Sequence, residues 1–215
     1  MTGLLVALTL AGGSYTAEYP RETAKAVQWC TDNPWAYDAL EEKLGSAELA
    51  LWALCTVAPE LGQWSTLRTK IELYTLKAVY VQEGRGNFSV GPFQMKPSFA
   101  ERMEKLHPSL RLSGDSPREE RIARLERLSS AEGQLPYLVA FMKQAVSTVD
   151  SWGVQDPVMR FRYIATLYNA GLDISREKAD ELLSGTLFPR FGLHKFNYAD
   201  AAASFIPLIK QGGSE

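Results

Sequence analysis

The chain has 215 residues, of which 46% are hydrophobic and 22% charged, with a formal net charge of −2 and an isoelectric point near 5.8. That is enough apolar mass to bury one core, and it excludes a disordered chain. Lys and Arg are interspersed with nearly equal numbers of Asp and Glu, so there is no electrostatic footprint for nucleic acid and none is expected as a partner.

The first apolar run, Leu4 to Ala11 followed by Gly12-Gly13-Ser14, has the length and small residues of a secretory signal but no basic residues ahead of it. It reads either as an export signal or as an apolar first element of the fold, and it is too short to span a membrane. No later stretch reads as a transmembrane segment. Cys30 and Cys55 could form one bridge in an exported protein or stay as buried thiols.

From about residue 33 the punctuation is helical throughout, which predicts an all-α chain. Asn33-Pro34 starts a helix that Gly45 ends, and Ser46 caps an apolar helix that Pro59 is expected to interrupt. Leu67, Ile71, Tyr74, Ala78 and Val81 recur at spacings of four and three, predicting one apolar stripe on a helix that stops before Gly84. Ser98 with Glu101, and Ser116 with Glu119, have capping-box spacing and predict two more helix starts. Residues 107–117 form the one long polar connection. Leu135 to Val149 then reads as an apolar helix, Asp156-Pro157 opens another that ends at Gly171, and Asn197 caps the last. The expected organisation is an N-terminal segment over 1–45 and a helical domain over 46–215, without internal repeats.

Two segments carry candidate chemistry. In Ser89-Val90-Gly91-Pro92-Phe93-Gln94-Met95, Gly91 permits a positive φ or a close approach, and the Gln94 amide can both donate to and accept from sugar hydroxyls and N-acetyl groups. Alone, it is also what an ordinary turn with a surface glutamine looks like. In Leu167-Tyr168-Asn169-Ala170-Gly171 an apolar helix presents a phenol and an amide on its final turn, suited to orienting a carboxylate or to a plain core tyrosine before a glycine cap.

In this order the two segments resemble the lysozyme-like lytic transglycosylase superfamily. Gly91-Pro92-Phe93-Gln94 with Pro97 behind it matches that family's Gly-Leu-Met-Gln motif, and Leu167 to Gly171 matches its Ala-Tyr-Asn-Ala-Gly motif. Phe196-Asn197-Tyr198-Ala199 stands where the family places its closing helix. The resemblance covers roughly residues 46 to 210. It implies a lysozyme-like helical domain with a glycan-binding cleft, a peptidoglycan glycan strand as partner, and no cofactor. Ser89, Gly91, Gln94, Met95, Tyr168 and Asn169 would line the substrate, with Tyr168 positioning a catalytic glutamate. The implied reaction cuts between N-acetylmuramic acid and N-acetylglucosamine with one carboxyl group, which protonates the leaving oxygen and then takes a proton from the sugar's 6-hydroxyl. Such an acid needs a desolvating, partly apolar setting.

Glu60 is the first choice for that acid, because it ends the most apolar helix beside Trp52 and Trp64, although Leu61 follows it where the family usually has serine. Glu72 would be a second cleft carboxylate or an ordinary helix-face residue. Glu83 is nearer Gln94 but sits among polar neighbours. His107 and His194 have no partners at ligand spacing, so no metal is expected. The rival expectations are a hydrolysing muramidase and a non-catalytic cell-wall glycan-binding protein that keeps the cleft without the acid.

Overall fold

A computed structural model describes residues 14–189 and 193–212. The signal-like run up to Gly13 lies outside the described residues. The described residues open with α1 (Tyr15–Glu18), α2 (Pro20–Asp32), α3 (Pro34–Leu44) and α4 (Ala47–Gln63). There follow α5 (Thr66–Glu83), α6 (Pro97–Leu106), α7 (Pro117–Leu128) and α8 (Ala131–Ser151). The last third contains α9 (Pro157–Ala170), α10 (Arg176–Leu183), α11 (Tyr198–Ala203) and α12 (Ile206–Gly212). Among the described residues strand pairing is limited to two isolated bridges, Val90 with Met95 and Phe188 with Phe196, so the fold is all-α. No described helix is long and apolar enough to cross a membrane.

The hub is α4. It is apolar on nearly every side, as a central helix must be, and α2, α3, α11 and α12 pack around it. Ala50, Ala53, Leu54, Cys55, Val57 and Ala58 are all buried there. Its small residues let neighbours come close, and at Gly62 a Cβ would stand 2.6 Å from the Glu22 carbonyl oxygen of α2. Any larger residue would push the two helices apart. Each fully buried leucine of this core, such as Leu40, Leu54 or Leu61, contributes about 1.5–3 kcal/mol relative to an exposed one.

Several helix ends fall where the side chains require. Ser46 accepts from the Leu49 amide, and Asp156 accepts from Met159 ahead of Pro157. Asn197 caps α11, although α12 still follows. Three expectations need correction. Pro59 does not interrupt its helix, because α4 runs through it to Gln63. Proline withholds the N–H that the Cys55 carbonyl would otherwise receive and crowds that turn. Burial tolerates the defect, and the next carbonyl, that of Thr56, is bonded from outside the helix by the Tyr198 hydroxyl at 3.0 Å.

The second correction concerns α5. Ile71 and Tyr74 are 60% and 78% exposed and Ala78 is also exposed, whereas Leu76, Tyr80 and Val81 are buried and Leu73 is partly so. The Leu67 side chain lies outside the described ones. Leu73, Leu76 and Tyr80 form a second stripe at spacings of three and four. The helix turns that stripe inward because Tyr80 can there meet Glu101 at 2.5 Å and Arg124 at 2.6 Å. Third, Ser98 and Glu101 make no capping box. Helix α6 begins on Pro97 without a side-chain cap, the Ser98 amide bonds Asn87, and Glu101 is taken by Tyr80. Ser116 does cap α7 through the Glu119 amide, while the Glu119 carboxylate reaches the Asp115 N–H.

A buried polar network ties α5 to α8. Arg124 (α7) holds Glu104 (α6) through both ends of its guanidinium, at 2.9 Å from Nε to Oε1 and 2.5 Å from Nη2 to Oε2, and both residues are 6% exposed. Tyr137 (α8) donates to Glu104 at 2.7 Å. Burial works against the Arg124 charge, but Glu104 and Tyr80 outweigh it and hold its pKa above the usual arginine range.

Candidate active site

The candidate site is organised by the tight turn that the Gly91-Pro92-Phe93-Gln94 segment makes. Val90 and Met95 exchange both of their backbone hydrogen bonds, at 2.9 and 3.1 Å, and close the turn. Gly91 adopts φ +73°, and a Cβ there would lie 2.2 Å from the Leu128 carbonyl oxygen and 2.5 Å from the Gln134 amide nitrogen. Only glycine satisfies both demands. Gln134, completely buried on α8, clamps the turn from beneath: its Oε1 accepts from the Phe93 N–H at 2.8 Å and its Nε2 donates to the Val90 carbonyl at 2.6 Å. Gln94 itself has φ +52°, and its side-chain amide donates back to the Gly91 carbonyl at 2.9 Å. A non-glycine residue in that region is strained, and the clamp is what sustains it.

Tyr168, on the last turn of α9, donates its hydroxyl to the Phe93 carbonyl at 2.6 Å. The two sequence segments singled out above, 75 positions apart, therefore meet in one hydrogen bond. The Tyr168 ring keeps a partly exposed edge while its hydroxyl is wholly enclosed. Burial first, and then the charge of Glu60, hold that hydroxyl well above the usual tyrosine range.

Glu60 lies half-buried in the last turn of α4, one residue beyond Pro59. Its charge is felt by three tyrosine hydroxyls from three separate elements. Besides Tyr168 these are Tyr198 at the start of α11, raised well above normal by burial and then by Glu60, and Tyr15 of α1. Tyr15 is pushed up to about 12, by burial first, against an opposing effect of the Gln63 amide and with Glu22 and Glu60 adding to the rise. Helix α4 packs against both α9 and α11, the helices that carry Tyr168 and Tyr198.

The remaining sequence candidates divide. Ser89 is half-buried beside the turn and Asn169 is exposed at the end of α9, whereas Met95 is 2% exposed and faces the core. Glu72 is half-buried on α5, a helix that packs against α7, and it is not among the groups acting on Tyr168 or Tyr198. Glu83 ends α5 with its side chain 56% exposed, 3.9 Å from Arg85. Asn169 and Tyr198 share the wall of a small cavity of about 40 Å³ with Thr166, Leu182, Phe188 and Asn197. A more open groove of about 530 Å³ runs between residues 112–115 and α7, lined by Asp115, Glu119, Glu120 and Glu126. Neither contains Glu60 or Gln94.

Among the described residues no three His, Cys, Asp or Glu side chains converge as metal ligands. Cys30 and Cys55 are free thiols, and burial pushes Cys30 up to about 12 and Cys55 well above the usual thiol range. Sequence reasoning did not find Gln134, Tyr198 as a neighbour of Glu60, or Trp29 of α2, whose ring meets Phe93 edge to face at 5.6 Å and 80°. The place of Tyr198 after a capping asparagine and the run Ala26-Val27-Gln28-Trp29-Cys30 were the only available signals. No protein-family model, no curated protein and no solved structure matches this chain.

Proposed function

We propose that this chain is an exported lytic transglycosylase that cleaves peptidoglycan between N-acetylmuramic acid and N-acetylglucosamine, in a lysozyme-like helical domain whose glycan cleft runs past Glu60 and Gln94. The observation that carries the reading is the hydrogen bond that joins Tyr168 to the Gly91–Gln94 turn through the Phe93 carbonyl, with Glu60 half-buried in the last turn of α4, a helix against which α9 packs. Glu60 is half-buried at the end of an apolar helix, the kind of partly desolvated setting that the proposed acid would use. Glu60 would protonate the glycosidic oxygen as the bond to the muramic C1 breaks. The resulting carboxylate would then accept the proton of the same sugar's 6-hydroxyl as that oxygen bonds to C1, leaving a 1,6-anhydro end and a restored acid. No water is consumed and no second carboxylate is needed. Gln94, held at positive φ, would aim its backbone and amide at the sugar hydroxyls.

The test is digestion of purified peptidoglycan with product analysis by mass spectrometry. Wild type should release 1,6-anhydromuramyl ends, and Glu60→Gln should lower the rate by about 10²–10⁴-fold, the usual contribution of a general acid. Reducing ends in place of anhydro ends would make the protein a muramidase. Binding to cell wall without any turnover would make it a non-catalytic glycan-binding protein. Glu83 stands nearer Gln94 in sequence, with its side chain exposed beside Arg85. If Glu83→Gln abolishes turnover while Glu60→Gln keeps it, the acid belongs at the end of α5.

A further inference from the structure

The first 45 residues fall outside the segments that suggested glycan cleavage, yet α2 packs along α4 and delivers Trp29 to the candidate site. The contact is specific in kind. Phe93 is completely buried and faces Trp29 edge to face, so the part of this aromatic pair that reaches solvent belongs to Trp29, which is half-buried. The Phe93 carbonyl accepts from Tyr168 and its N–H is held by Gln134, and the next residue is Gln94. Trp29 is therefore fixed against the one residue that both clamps hold. Its indole N–H finds no acceptor among the described residues and is not enclosed, whereas the N–H of Trp35 nearby bonds Asn33 at 3.1 Å. A half-exposed indole with an open donor, seated on a rigid turn beside an amide, has what a pyranose ring needs. Its π-surface takes the sugar's apolar C–H face, and its edge donates to a hydroxyl or an acetamido oxygen.

We infer that Trp29 is a substrate-binding platform for an N-acetylated hexose adjoining Gln94, so that the N-terminal helices complete the glycan site instead of merely flanking it. The inference rests on the glycan-cleaving reading and deepens it. Loss of the ring should weaken binding of the chain of sugars and leave the chemical step alone, because the platform does not touch the scissile bond.

The experiment uses the full chain with soluble muropeptide-free glycan strands for turnover and chitotetraose as the binding probe. Trp29→Ala should raise KM about tenfold, in line with an aromatic contact of roughly 1–1.5 kcal/mol, with kcat within about twofold. Trp29→Phe should recover most of the loss while melting at the wild-type temperature, which separates contact from folding. Wild-type tryptophan emission should shift on adding chitotetraose, and Trp29→Phe should lose that shift. Wild-type KM and an unchanged emission response in Trp29→Phe and Trp29→Ala, in a protein that does cleave glycan, would overturn the platform alone. A wild type that neither binds chitotetraose nor cleaves strands would overturn the platform together with the reading beneath it.

Discussion

Two regions of this molecule bury carboxylates among tyrosines, and they use the tyrosines in opposite ways. Around Arg124, the phenols of Tyr80 and Tyr137 donate directly to the carboxylates of Glu101 and Glu104, and the guanidinium supplies the opposite charge. Around Glu60, the phenols of Tyr168 and Tyr198 donate to main-chain carbonyls, Phe93 and Thr56, and the charge of Glu60 adds to the rise of both hydroxyls. The first arrangement neutralises its charges and joins four helices. The second fixes the backbone around the end of α4. Closed networks of the first kind hold structure together, and a backbone held in place by phenols, as in the second, is what a site that must position its groups requires.

The largest expected effect comes from breaking the closed network. Arg124→Ala leaves Glu104 buried without its partner and should lower unfolding free energy by about 3–5 kcal/mol in urea titration. The double change Arg124→Met with Glu104→Leu should cost much less, because removing both charges removes the desolvation penalty too. If the single and double variants were equally destabilised, the network would be packing instead of electrostatics. Next is Gly91→Ala, where a positive φ and a Cβ 2.2 Å from a backbone oxygen act together. A loss of about 2–4 kcal/mol is expected, along with a fall in turnover because Gln94 is displaced. Tyr168→Phe removes one hydrogen bond to the turn. It should cost about 1 kcal/mol in stability, and turnover should fall on the order of tenfold as the Gln94 backbone loosens.

The difference between the regions also explains what was legible in the letters. Helix ends governed by a single local interaction, such as Ser46, Asp156 or Gly171, were readable because cap and helix are adjacent in sequence. The Gly91–Gln94 turn and Tyr168 were readable as motifs, although not the hydrogen bond between them. Helix α5 was misread because two apolar stripes share its sequence, and the choice between them is made by partners on α6 and α7. Ser98 and Glu101 failed as a capping box for the same reason, since Glu101 is worth more to Tyr80 than to a helix start. Pro59 was misread because its missing N–H is tolerated through burial and a neighbouring tyrosine 142 residues from Thr56. Long-range pairing of this sort leaves no local signature, and the Arg124 network and Trp29 went unseen on those grounds.

The smallest expected effect tests the Glu60 region by its alkaline response. Tyr15 is 1% exposed, and its hydroxyl has a folded-state pKa of about 12 against 10.0 for an unperturbed tyrosine. A pKa raised on folding means that the unfolded chain loses its proton first. The stabilisation is complete below about pH 10 and is lost as pH climbs toward 12. Wild type should therefore become easier to unfold above pH 10, and the part of the tyrosinate absorbance that Tyr15→Phe removes should rise together with unfolding instead of before it. Tyr15→Phe should shed its own share of that dependence, a difference of under about 1 kcal/mol at about pH 10.5, and leave neutral-pH cleavage nearly unchanged. The direction separates burial from mere proximity to Glu60. A Tyr15 phenol that ionised ahead of unfolding would be solvated, and the end of α4 would then be an exposed corner instead of part of the core.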